Sequence, residues 1–149
     1  MKIIVDADAC PVKQIIEDIS INYKIKLVFV SNPNHILSSN WGDIITVDSE
    51  NQSADIAIVN LATENDIVVT QDYGLASMVL AKKAMAISPG GRVYTIDNID
   101  GLLMQRFLNG RARQARERIK GPAKRNKKDD IRFEKNFSAL ILDNMNKIK

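Results

Sequence analysis

At 149 residues, with 45% hydrophobic and 26% charged side chains, seven Gly and four Pro, the chain has the make-up of one globular domain, able to bury roughly two thirds of the surface its unfolded form exposes. A collagenous, low-complexity or globally disordered chain is excluded. One cysteine, Cys10, and one histidine, His35, exclude an internal disulfide and a structural zinc site, so a metal here would be held by oxygen, and the net charge of +3 conceals regions of opposite sign.

Residues 2–6 (Lys-Ile-Ile-Val-Asp) are a short β-branched run that predicts a strand, and Pro11 suits the first turn of a helix reaching to Asn22. Asp6 and Asp8 interrupt the N-terminus before a signal-peptide core could form, and no apolar run is long enough for a membrane span; a cytoplasmic protein without membrane contact is expected. Lys26 to Val30 predicts a second strand, Ser31-Asn-Pro-Asn a turn, and Ile44 to Val47 a third strand beyond a loop that holds His35 and Trp41. Either ring could contact a base, but a lone loop aromatic more often packs on the body.

Ser53 is placed to cap a helix from Ala54 to Asn65, apolar around much of its circumference and so expected to be well buried. Ile67 to Thr70 predicts a strand, Tyr73 to Lys83 a helix, Ala84 to Ile87 a strand, Ser88-Pro-Gly-Gly91 a turn and Arg92 to Thr95 a short strand. Ile99, Leu102, Leu103 and Phe107 then mark one apolar face of a helix that continues into a basic segment until Gly121-Pro122 stops it. Phe133, Phe137, Leu140, Ile141 and Ile148 form the stripe of a last helix that should dock on the body. Alternating strands and helices predict an α/β domain in three layers, a mostly parallel sheet with helices on both faces. The whole chain, 1–149, reads as one domain with 106–149 as a basic helical extension.

Residues 1–105 carry 7 Lys/Arg against 13 Asp/Glu, residues 106–135 carry 12 against 4, and residues 136–149 carry 2 against 1. The net charges are −6, +8 and +1. Nine cations and one anion between Arg111 and Lys128 suit a phosphate backbone. Arg92, Arg106, Arg111, Arg113, Arg116, Lys124 and Arg125 are the candidate nucleic-acid contacts. No aromatic residue interleaves the run, so base stacking is not expected there.

In open α/β sheets the working site lies beyond the carboxyl ends of the strands. The first strand ends in Asp6-Ala-Asp8, the fourth leads into Thr70-Gln71-Asp72, and the helix between them begins with Asp55. Carboxylates so crowded repel unless a hard divalent cation sits among them, and oxygen ligands suit Mg2+ or Mn2+. Asp6, Asp55 and Asp72 are the expected metal ligands, with Asp8 as a further ligand or base, for hydrolysis of a phosphate ester. Each Asp also has a structural alternative, as a helix cap or a complement to a helix dipole.

Ser53 through Asp72, with an Asp opening a helix and another following a strand 17 residues later, resembles the second half of PIN-like nuclease domains. Asp6-Ala-Asp-Ala-Cys-Pro-Val12, Gln71-Asp-Tyr-Gly-Leu-Ala76, Ile87-Ser-Pro89, Asp97-Asn-Ile99 and Gly121-Pro122 followed by Phe133 are similar, more narrowly, to the YaiI/YqxD family of bacterial proteins. The resemblance implies a PIN-like fold and a metal-dependent nuclease site at Asp6, Asp8, Asp55 and Asp72, with a nucleic-acid partner, RNA before DNA. The chain departs from the pattern twice. Tyr73-Gly74-Leu75 supplies no further acid after Asp72, so either Asp8 fills that role or the chain binds nucleic acid without cutting it; and Ser88-Pro-Gly-Gly stands where the family commonly has Ser-Pro-Arg-Gly, which moves the cation to Arg92.

Asp6-Ala-Asp8 after a strand also resembles haloacid dehalogenase-type phosphatases, with Thr70 and Lys82 or Lys83 as their further groups. Cys10 at a helix start could be an activated thiol, but no partner His or CxxC supports that, and a small buried side chain is expected.

Overall fold

A computed structural model describes residues 1–8, 10–33, 37–48, 53–115 and 124–148. The β-branched run at the N-terminus forms β1 (Lys2–Asp6), which pairs in parallel with β2 (Lys26–Ser31) on one side and β4 (Ile67–Val69) on the other, with Val5 opposite Phe29 and Val69. β3 (Asp43–Thr46) adds beyond β2, β5 (Met85–Ile87) adds in parallel beyond β4, and β6 (Val93–Tyr94) closes that edge antiparallel. The strand order is β3-β2-β1-β4-β5-β6. The chain winds outward from β1 to β3, then returns to the other side of β1, and the crevice between β1 and β4 is where such sheets place ligands.

Strand alternation supplies two cores. Ile3 and Val5 of β1 meet Ile16 of α1 (Lys13–Tyr23) and Phe133, Phe137 and Ile141 of α5 (Lys127–Ile148). Ile4 and Val68 meet Ile58 of α2 (Ala54–Leu61), Leu75 and Val79 of α3 (Tyr73–Ala81), and Ile99 and Leu102 of α4 (Ile96–Gln114). This is the three-layer, mostly parallel α/β arrangement expected from the sequence. No helix among the described residues is long and apolar enough to cross a membrane.

Beyond two shifted ends, with α1 starting at Lys13 after Pro11 and α4 ending at Gln114 before Gly121-Pro122, four expectations are corrected. α2 stops at Leu61, not Asn65, because the Asp66 carboxylate accepts bonds from the Thr63 N–H and hydroxyl, a local closure that competes with helix, and Asn65 takes a positive φ of 71°. Nor is α2 well buried: it packs on β1, β2 and α3 from one side, leaving Ile56 51% exposed. In α4 the apolar face is core only through Leu103; Phe107 is 58% exposed, and no described residue from Met104 to Ala115 is buried. Finally, Ile148 lies outside the stripe of α5, since a 22-residue helix of about 33 Å outruns strands of at most about 20 Å. The buried Asn144 takes its place, donating to the Asn65 carbonyl.

Gly91 sits at φ 93°, where a side chain is strained, and a Cβ there would come within 2.8 Å of the Arg132 backbone. The Ser88–Arg92 turn thus lies directly on α5, closed by bonds from Gly91 N to Ser88 O and from Ser88 N to Arg92 O.

Candidate functional site

Asp6 is the last residue of β1, and alternation turns its side chain to the face covered by α2 and α3. Asp55 lies in the first turn of α2, whose N-cap is Ser53, with its Oγ accepting from Ile56 N. Asp72 is the N-cap of α3: its Oδ1 accepts from Gly74 N at 2.9 Å and Leu75 N at 3.2 Å. The capping alternative is therefore realised for Asp72, and the same cap fixes where its carboxylate stands. It is not realised for Asp6 or Asp8, because the N-cap of α1 is Val12 without a side-chain bond. Asp8 accepts from Asn32 N at 3.2 Å across the β1 and β2 ends.

The sheet edge brings these carboxylates within electrostatic reach of one another. Burial, followed by the charges of Asp55, Asp8 and Asp72, pushes the Asp6 carboxyl up to about 6 against the opposing hydrogen bond from Thr70. Burial also raises the Asp55 carboxyl, and so do the charge of Asp72 and a hydrogen bond to it, while Arg106 opposes the rise. Arg106 of α4 reaches back to Asp72 Oδ1 at 3.4 Å. A cleft of about 270 Å³ opens here, lined by Asp6, Asp8, Cys10, Gln71, Asp72, Tyr73, Pro89 and Arg106.

Among the described residues no three His, Cys, Asp or Glu side chains are gathered closely enough to hold an ion as they stand. The donors nonetheless suit a hard divalent cation: all are carboxylate oxygens, and two, Asp6 and Asp55, are pushed toward the neutral form by burial and by neighbouring carboxylates, a penalty that a cation relieves.

The remaining candidates divide. Arg92 lines a neighbouring groove of about 590 Å³ beside Tyr73 and Arg132. Arg111 lines a third, of about 380 Å³, with Arg106 and Phe107. Arg113 and Lys124 are exposed, and Arg116 lies outside the described residues, as does His35. Arg125 is engaged by Asp130 through two bonds, at 3.0 and 2.7 Å, so it is an internal tie. Trp41 packs in part on the body, its Nε1 donating to the Ile25 carbonyl. Cys10 is buried and burial pushes its thiol up, which agrees with a steric role. Lys82 and Lys83 stand past the far end of α3, about 14 Å from its start by helical rise, and Lys82 bonds the Val59 carbonyl; neither lysine named for the phosphatase-type arrangement stands at the acids.

Sequence reasoning overlooked Thr70 as the support of Asp6, together with Tyr73, Phe107 and Arg132. Thr70 carried a signal, standing two residues before Asp72 at a strand end. Arg132 did not, because the turn that brings it to Gly90 lies 42 residues away.

The family described as "Uncharacterized BCR, YaiI/YqxD family" matches residues 4–143. The UPF0178 protein of Clostridium kluyveri is 47% identical over 143 residues, 96% of this chain and 94% of that protein. That of Alkaliphilus oremlandii is 46% identical over 149 residues, 100% of this chain and 96% of its own. Among solved structures, Rae1 (YacP) from Bacillus subtilis is similar with a TM-score of 0.48 and 18% identity, over 77% of this chain and 84% of that one.

Proposed function

The chain belongs to the YaiI/YqxD family, and from that premise and the carboxylates of its cleft we propose that it is a metal-dependent nuclease that hydrolyses phosphodiesters of RNA before DNA. What supports this reading is that Asp6, Asp55 and Asp72, carried by three separate elements, lie within electrostatic reach of one another, with the Arg106 guanidinium 3.4 Å from Asp72.

Asp6, Asp55 and Asp72 would hold Mg2+ or Mn2+, with Asp8 as a further ligand or base. When bound, the ion supplies an activated water and neutralises charge that builds on a phosphate in in-line displacement. The chain's own groups do the rest. Thr70 Oγ1 donates to Asp6 Oδ2 at 2.9 Å and accepts from Asp72 N at 3.0 Å, so one hydroxyl fixes the spacing of two acids. Tyr94 Oη donates to the Thr70 carbonyl at 3.1 Å and anchors that segment from β6. Arg106 is placed to meet a phosphate oxygen, exchanging its long contact with Asp72 for a charge-assisted bond.

The experiment is a cleavage assay on mixed-sequence RNA and DNA oligonucleotides with Mn2+, against Asp6→Asn. Cleavage lost in the variant supports the nuclease. Salt-sensitive binding without cleavage in the wild type selects a nucleic-acid-binding adaptor instead, a reading favoured by the missing acid after Asp72.

A further inference from the structure

The cleft has neighbours on both sides, and each shares one residue with it. Tyr73 lines both the cleft and the groove of Arg92 and Arg132. Arg106 lines both the cleft and the groove along α4. The acids therefore stand in the middle of one track with cations at either end, a layout that suits a polyanion passing through better than a small ester bound at one point.

The α4 end of the track has a chemistry of its own. Its lining includes the apolar Leu103 and Phe107 and the cationic Arg106 and Arg111. Phe107 is 58% exposed, and the Arg111 guanidinium lies over its ring, 6.0 Å from the centroid. Among the described residues no carboxylate pairs with Arg111. An exposed aromatic ring under a solvated guanidinium contributes nothing to the core. It is the surface on which unpaired bases stack, and every base has a face to offer it. A stacked base pair hides its faces, so a duplex cannot use it.

We infer that Phe107 and Arg111 form a subsite for an unpaired nucleobase, next to Arg106, which holds the adjoining phosphate at the entrance to the acidic cleft. This rests on the nucleic-acid part of the reading above and adds to it that the strand is single. Arg106 and Phe107 are consecutive, so the base and its phosphate are bound by neighbouring side chains on one rigid helix.

The test is fluorescence anisotropy in EDTA, where no metal-dependent cleavage can intervene, with the full chain and labelled single-stranded RNA and DNA 12-mers and the matching duplexes. Phe107→Ala should weaken single-strand binding about tenfold, the scale of one lost base stack, in whichever sugar binds better, while duplex binding and the salt slope are unmoved. Phe107→Trp should restore it and Phe107→Leu should not. A strand with one abasic position should bind wild type more weakly, with no further loss in Phe107→Ala. Because Phe107 is exposed, circular dichroism should show every variant folded.

Equal losses for single strand and duplex, full single-strand binding in Phe107→Leu, or no effect of any substitution overturns the subsite. So does a wild-type dimer that Phe107→Ala dissolves, for then the face is a contact between copies of this chain. If Mn2+ never supports cleavage but the abasic and Phe107 effects coincide, the nuclease reading fails and the subsite stands. If cleavage occurs with no dependence on Phe107, the reverse holds.

Discussion

Thr70 Oγ1 donates to the Asp6 carboxylate at 2.9 Å, a hydrogen bond that opposes the burial and crowding that raise that acid. Thr70→Val keeps the buried volume and removes the donor. The Asp6 carboxyl should then move above its present value of about 6, and Mn2+ binding should demand higher pH, because ligand deprotonation competes with the metal. Thr70→Ser should restore the profile. Calorimetric Mn2+ titration from pH 5 to 8 reads this directly; a profile identical in all three proteins would show that Asp6 does not bind the ion.

The raised Asp6 carboxyl also sets a sign for stability. Its value is 3.8 when unperturbed and about 6 here, so between roughly pH 4 and 6 the native state holds a proton that the unfolded state has lost. By linkage, stability then falls as pH rises through that window, and Asp55, also raised, adds in the same direction. Asp6→Asn, which cannot ionise, should be more stable than wild type above pH 6 in EDTA and equal to it near pH 4. Added Mn2+ should raise the Tm of wild type and leave Asp6→Asn unchanged. Thermal scans at both pH values check it.

A different acid should behave in the opposite way. Asp66 is buried at the start of β4 and accepts from Lys2 N, Lys2 Nζ, Thr63 N and Thr63 Oγ1. Burial pushes its carboxyl up, but those four donors outweigh it and hold the group below 3.8. Its contribution is therefore complete above pH 3.8 and is lost as pH falls through the lowered value. Asp66→Ala strands a half-buried ammonium and should cost about 3 kcal/mol, visible as a lower urea midpoint at pH 7 with oligonucleotide binding by the folded fraction unchanged.

The sheet and the acids were legible in the chain because both rest on local pattern: β-branched runs mark β1, β2 and β4, and carboxyl-end Asp residues follow from where such strands stop. Three things were not legible. The length of α2 was set by Asp66, a residue whose side chain competes with the helix from outside it. The fate of Phe107 depended on how far α4 runs beyond the body, which periodicity does not encode, since a stripe continues on a helix whether or not anything covers it. Arg132 entered through the contact of Gly91 with α5, between residues far apart in sequence.

Among the described cations of the basic segment, Arg125 is tied while Arg113 and Lys124 are exposed. Arg125 is half-buried against Asp130, an exposed-type pair worth at most about 1 kcal/mol. Arg125→Ala should lower Tm slightly and leave the salt dependence of oligonucleotide binding alone. Arg113→Ala, Arg116→Ala and Lys124→Ala together should do the reverse. For single strands each lost phosphate contact removes about 0.7 from the slope of log K against log salt, so the triple variant should be flatter by about 2 with Tm unchanged. An unfolded triple variant would mean that these side chains tie the C-terminal helices to the acidic body.

Gly90 offers a gain rather than a loss. This chain reads Ser88-Pro-Gly-Gly with Arg92 directly after. Unlike Gly91, Gly90 has an ordinary φ, and a Cβ there would meet only Ser88 Oγ at 3.7 Å, an easy contact. The groove it lines already holds Arg92 and Arg132, and the Nε of Arg132 is spent on the Gly90 carbonyl at 2.7 Å, a bond to the backbone that a new side chain leaves in place. Gly90→Arg should therefore fold with wild-type Tm, bind single strands several-fold more tightly at low salt, and steepen the salt slope by about 0.7. Gly91→Arg is the control and should destabilise, because a Cβ at φ 93° runs into the Arg132 backbone at 2.8 Å. If Gly90→Arg folds yet binds no tighter, a cation at that position does not face phosphate, and the track from the cleft toward Arg92 loses its support.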